Sequence, residues 1–152
     1  MINGLPAHAL LVHVIVVLAP LTAVLAILCA VWPAARRRLV WLVLAFAVVI
    51  TALTPLTTEA GQWLQQRIGD SPAIQTHADL GNTMLYFSIS LLVAAILLAF
   101  LHVRELSTVV TAVIAVVIIA ACAATIAQVV RIGDSGARAT WGGIVANSPP
   151  AN

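Results

Sequence analysis

LVWLVLAFAVVITALTPLTT, residues 39–58, runs for 20 residues without a charge between the triplet Arg36, Arg37, Arg38 and Glu59. A helix rising 1.5 Å per residue needs about that length to cross a hydrocarbon core of about 30 Å. Working outward, three more uncharged stretches of this kind stand at residues 7–32, closed by Pro33 and the arginine triplet, at 81–101, and at 107–130 after Glu105. The first and second are joined by a short link, and so are the third and fourth, which forces antiparallel neighbours. The pattern predicts an all-α membrane protein with four transmembrane helices in an up-down-up-down bundle. It forms a single domain over residues 1–152, with 131–152 as a tail on the outer side.

Composition points the same way. Hydrophobic residues make up 62% of the 152 and charged residues 8%, with a mean hydropathy of +1.11, whereas a soluble domain carries about 25% charged residues. Disorder, a collagen, a disulfide scaffold and a basic nucleic-acid binder are excluded, because each needs residue types that are scarce here. The net charge of +2 comes from arginines without lysine. Scattered along the chain, they imply no nucleic-acid or other phosphate partner. No Lys or Arg precedes the first apolar stretch, so it lacks the basic region of a secretory signal and reads as a retained span.

The turns within the two hairpins carry Arg36, Arg37, Arg38 and Arg104, against Arg67, Arg131 and Arg138 on the other side. The positive-inside rule then places both termini outside in a multi-pass protein of the cell membrane. Trp32 and Trp41 flank the triplet, and Trp63 and Trp141 follow the second and fourth spans, where indole rings favour the interface. Cys29 and Cys122 lie at depths too different for a disulfide and read as small core residues.

Arg67-Ile68-Gly69-Asp70-Ser71 recurs unchanged as Arg131-Ile132-Gly133-Asp134-Ser135, an offset of 64 residues. The offset sets His77 on His13 and the third and fourth spans on the first and second, which suggests two tandem helical hairpins. The alternative is that helix ends recruit these residues independently. Gly ends a helix, and Ser71-Pro72 starts one as N-cap and first helical residue.

Polar groups in or near hydrocarbon are costly, so each is a functional candidate. His8, His13, His77 and Glu59 fall on the outer side, while His102 lies alone at the inner end. Counted from the inner arginines, Glu59 and His13 share one layer, with His8 and His77 about one to two turns further out. His8 and His13 are about 140° apart around a helix and do not share a face. Pro20 and Pro55 leave the carbonyls of Val16 and Thr51 without helical partners, free to coordinate an ion or to accept from Thr hydroxyls.

Three chemistries fit these residues. A haem b takes two axial imidazoles from different helices, His13 and His77, with Gly81 leaving room for the porphyrin. A transition metal takes His8, His13 or His77 with the Glu59 carboxylate. In the third case there is no cofactor: Glu59 is neutral or paired with His or Arg67, and the histidines sit hydrated at the headgroups. No nucleophile elbow, P-loop, zinc cysteine pair or Rossmann fingerprint is present. No catalytic residue is therefore assigned, and electron transfer or binding is favoured over hydrolase or transferase chemistry. Two other classes stand beside redox or metal handling. One is an ion or small-solute transport module, suggested by Pro20, Pro55 and Glu59. The other is a cofactor-free accessory subunit or homo-oligomer, packing through Ala112, Ala115, Ala120, Ala121, Ala124 and Ala127.

Gly4-Leu5-Pro6-Ala7-His8-Ala9-Leu10-Leu11-Val12-His13 resembles the opening G-H-P-x-H-P-x-L-V-H-F-P of bacterial membrane proteins called domain of unknown function 2231. Thr58-Glu59-Ala60-Gly61 and His77-Ala78-Asp79-Leu80-Gly81 resemble the acidic and His-containing middle of the same family. The resemblance covers the first three spans and implies a four-helix membrane architecture. Some members resemble fusions to Rieske iron-sulfur domains, which implies electron transfer and favours a haem or metal site at His8, His13, Glu59 and His77. Leu5 stands where the family often has its first His, and Ala9 and Val14 replace Pro and Phe. No Rieske motif is present, so an iron-sulfur redox partner would be a separate chain.

Overall fold

A computed structural model describes residues 7–146. Four helices follow one another: α1 (Ala7–Val31), α2 (Pro33–Ile68), α3 (Pro72–Val103) and α4 (Thr108–Ala146). Each is long and apolar enough to cross a membrane, and the described residues contain no strand. The bundle closes in a ring, α1 on α2, α2 on α3, α3 on α4 and α4 on α1, with little contact across the α1–α3 diagonal. This is the four-helix up-down architecture expected from the apolar stretches.

The core is built largely from small and branched side chains. Ala19, Ala23 and Ala26 of α1 are fully buried, as are Val43 and Ala47 of α2, Leu91 and Leu98 of α3, and Ile118 and Cys122 of α4. Small residues at a helix interface let backbones approach closely, which drives packing where water supplies no hydrophobic force. Both cysteines are free. Hydroxyls add cross-links: the single proton of Thr51 Oγ1 is shared between Ala47 O on its own helix at 2.8 Å and Ser88 O on α3 at 3.1 Å. On α4, Ala112, Ala120, Ala124 and Ala127 face outward, so most of the alanine surface lies outside the bundle interior.

The helices overrun the predicted spans. The triplet Arg36, Arg37, Arg38 lies inside α2, because the first reversal needs only Trp32, an extended residue followed by Pro33 at the first helical position. α1 and α2 also continue through Pro20 and Pro55, so neither proline interrupts its span. The larger difference is in α4, which extends from the predicted end near residue 130 to Ala146.

That extension separates the two copies of the pentapeptide. In the first copy Ile68 ends α2, and Gly69 takes φ +86° and ψ 179°. Ser71 then caps α3 by accepting from the Ile74 N–H at 3.3 Å. The second copy is continuous helix within α4. The residue that follows decides: Pro72 forces Ser71 out of the helical region, whereas Gly136 places no such restriction on Ser135. The identical segments are therefore not structural equivalents.

Gly69 occupies a backbone region open almost only to glycine. A Cβ there would meet nothing within 4 Å, so the cost of a side chain is purely conformational. Gly69→Ala is expected to cost about 1–3 kcal/mol, read as a lower thermal unfolding midpoint in detergent. Beside it, the Asp70 carboxylate accepts from Gln65 Nε2 at 2.7 Å and from Gln75 Nε2 at 3.0 Å. The Gln75 amide, and after it Gln65, hold the Asp70 carboxyl below its ordinary range. A lowered folded-state value stabilises the loop above the unfolded value of about 3.9, and this support is lost as pH falls through the folded value. Gln75→Leu should raise the Asp70 titration midpoint, followed by NMR, towards 3.9.

Candidate functional site

A cavity of about 660 Å³ opens at the end of the bundle opposite the two hairpin turns, walled by all four helices. Val12 and Val16 of α1, Met84 of α3 and Val129 of α4 line its deeper part, and Gln62, Gln65 and Thr140 are among its polar lining. The helical extensions make the walls, since Ile68 of α2 and Ala137 of α4 line it beyond the predicted spans. A largely apolar pocket of this size with a few placed polar groups is the usual form of a small-molecule or cofactor site.

Three histidines line it: His8, His13 and His77. His8 and His77, both half-buried, approach across the bundle with ring centres 6.3 Å apart and planes at 81°. His13 is exposed, and its Nδ1 bonds the Ala9 carbonyl of its own helix. The imidazole that α1 brings to His77 is thus that of His8, not that of His13, as the repeat offset had paired them. Glu59 is exposed and does not line the cavity. Gly81 does line it, with open space where a Cβ would stand. Among the described residues, no three His, Cys, Asp or Glu side chains gather closely enough to hold a metal ion.

Each facing imidazole is fixed from behind. His8 Nδ1 lies 3.0 Å from the Thr57 carbonyl. A carbonyl only accepts, so Nδ1 carries the proton and donates. His77 Nδ1 lies 3.0 Å from Ser135 Oγ, whose own proton goes to the Ile132 carbonyl at 2.8 Å. The hydroxyl therefore accepts from the ring, and His77 is also the Nδ1–H tautomer. In both rings this leaves the Nε2 lone pair uncommitted.

Two glycines make the close approach possible. A Cβ on Gly61 would stand 2.9 Å from His8 Cε1, and one on Gly136 would stand 3.0 Å from His77 Cε1. The arrangement repeats between hairpins. His8 of α1 lies on Gly61 of α2 and bonds the carbonyl four residues before it. His77 of α3 lies on Gly136 of α4 and reaches the carbonyl four residues before it through Ser135. Internal symmetry thus resides in this His–Gly contact, at spacings other than the 64 of the pentapeptide.

Sequence reasoning singled out the histidines but not Gly61, Gly136, Ser135 or the Thr57 carbonyl as their supports. The available signal was a glycine inside a long helix, the lone one of α2 and one of four in α4, at a cost to helix stability that calls for a packing reason. Next to this site, Gln128 is buried and ties α4 to α3, donating to Thr83 Oγ1 at 2.7 Å and accepting from Arg131 Nη1 at 3.4 Å.

The family model for predicted membrane proteins of DUF2231 matches residues 4–149, all four helices included. The chain belongs to the DUF2231 family. Among curated proteins and solved structures, none matches it. As a DUF2231 protein it is a multi-pass helical membrane protein seated in a lipid bilayer, and the match extends through α4, beyond the three spans covered by the motif resemblance.

Proposed function

We propose that this DUF2231 protein binds haem b at the cavity, with His8 and His77 as axial ligands, and carries single electrons at the outer face of the membrane. The observation that carries the proposal is the pair of opposed imidazoles, each with Nδ1–H held by an acceptor and Nε2 free. Metal-binding histidines almost always donate their other ring N–H to a carbonyl or similar acceptor, which fixes the tautomer and ring orientation. With metal–nitrogen bonds of about 2 Å, two imidazoles on opposite sides of one ion have ring centres about 6 Å apart. The 6.3 Å separation fits this.

Haem is favoured over a bare ion by the number of ligands. Two protein nitrogens complete an iron whose four remaining positions are supplied by a porphyrin, whereas a bare ion needs further ligands. The lining supports the same choice, since Val12, Val16, Met84 and Val129 offer apolar contact deep in the cavity and Gln62 and Gln65 offer polar contact. Held by both His8 and His77, a haem would supply one-electron transfer rather than oxygen binding. The test is the composition of protein purified from haem-sufficient cells. One haem and one iron per chain are expected, and colourless, iron-free protein contradicts the proposal. Iron or another metal without porphyrin would move the reading to a bare metal site.

A further inference from the structure

The opposite end of the bundle carries an unmatched positive charge. Arg36, Arg37 and Arg38 lie in the first two turns of α2, Arg104 caps the C-terminus of α3, and Glu105 is the acid beside them. Among the described residues the one ion pair is Arg138 with Asp134, near the cavity end. These four guanidiniums therefore have no carboxylate partner. The α2 macrodipole adds to the excess, because its positive end faces the same turn and no acidic residue lies in the first turn to offset it.

Arg36 differs from its neighbours. It is half-buried, and its Nη1 is shielded from solvent without a hydrogen-bond partner among the described residues. With one nitrogen already desolvated, the guanidinium gains from an acceptor at its remaining accessible surface, where the exposed side chains of Arg37, Arg38 and Arg104 add charge. The scattering of arginines along the sequence suggested no phosphate partner, but three of the seven are consecutive and the fold buries part of one. A phosphate offers several acceptor oxygens matched to the guanidinium fork. Its source follows from position. The apolar helices begin at this end, and the exposed indoles of Trp32 and Trp41 flank the triplet, as interfacial residues at headgroup level do.

We propose that Arg36, surrounded by Arg37, Arg38 and Arg104, binds the phosphate of an anionic phospholipid. Basic pockets between membrane helices at headgroup level hold such lipids. The site is separate from the histidine cavity and does not depend on its occupant.

The test uses the full-length protein in nanodiscs of phosphatidylcholine doped with phosphatidylglycerol, with retained lipid counted by native mass spectrometry. Wild-type protein should retain phosphatidylglycerol about tenfold or more over phosphatidylcholine, given the contribution of each basic side chain near anionic lipid. Arg36→Gln should remove most of that preference, while Arg131→Gln at the other end leaves it unchanged. Because the triplet also bears on insertion, the wild type is measured alone against salt, where the preference should fall as salt rises. Equal retention of the two lipids, or an unaltered preference in Arg36→Gln, overturns the proposal. Displacement of the lipid by millimolar inorganic phosphate would mean a free-anion site and overturns it as well.

Discussion

Replacing His77 by alanine is expected to lower the haem content of the purified protein more than about 100-fold, beyond the 10–100-fold typical of losing a group behind a metal ligand. His8→Ala should do the same, because each removes one of the two imidazoles with an uncommitted Nε2 whose ring centres lie 6.3 Å apart in the cavity. His13→Ala should leave the haem content near wild type. His13 lines the same cavity, but its ring is turned to the Ala9 carbonyl of its own helix. The three variants together separate the pairing of His8 with His77 from the pairing of His13 with His77. They are read as haem per chain, with helical content by circular dichroism confirming that each variant is folded.

Gly61→Ala and Gly136→Ala are each expected to weaken haem binding by about 10–100-fold, the range for disturbing the groups that orient a ligand. The added methyl would stand 2.9 Å from His8 Cε1 in one case and 3.0 Å from His77 Cε1 in the other, so the imidazole must shift from its place. That shift disturbs the bond of His8 to Thr57 and of His77 to Ser135 that set each ring's orientation. The fold should not weaken correspondingly, because alanine is about 1 kcal/mol better than glycine within a helix. Lower affinity with an unchanged or higher unfolding midpoint for the haem-free protein is therefore the signature of displaced ligands. A loss of binding that follows a loss of stability would point to general disruption instead.

Uncharged runs of about 20 residues between arginines and acids made the four helices and their order legible in the sequence. Helix ends were not legible in the same way. Residues 131–146 are polar enough to read as a tail, yet they continue α4 and wall the cavity with Ile132, Gly136 and Thr140. Hydropathy marks where a helix can meet lipid and says little about where it stops once it has packed neighbours. The repeated pentapeptide shows this most directly, since Pro72 ends one copy as a turn and the absence of a proline after Ser135 leaves the other helical.

The candidate site was legible in part. Residue counting set His8 and His77 at a common depth, and their rings lie 6.3 Å apart. The repeat offset pointed instead to His13, because it was taken from the pentapeptide, whose two copies are not equivalent. Depth counting also brought Glu59 towards the histidines, yet a residue can share their level and face outward, and Glu59 is exposed. Rotation about the helix axis decides which side chains meet, and with helices of 36 and 39 residues a small error in register accumulates. The supports of the imidazoles are largely a backbone carbonyl and two glycines, groups that carry no chemical signature in a sequence.

The central claim is that His8 and His77 are both bound to one haem iron. Electron paramagnetic resonance of the ferric protein tests it most directly, because two imidazole ligands make the iron low-spin, whereas an open or water-filled axial position leaves it high-spin. A low-spin signal that is lost in both His8→Ala and His77→Ala and retained in His13→Ala is the predicted result. A high-spin signal in the wild type, or a low-spin signal that survives loss of either His8 or His77, would contradict the account.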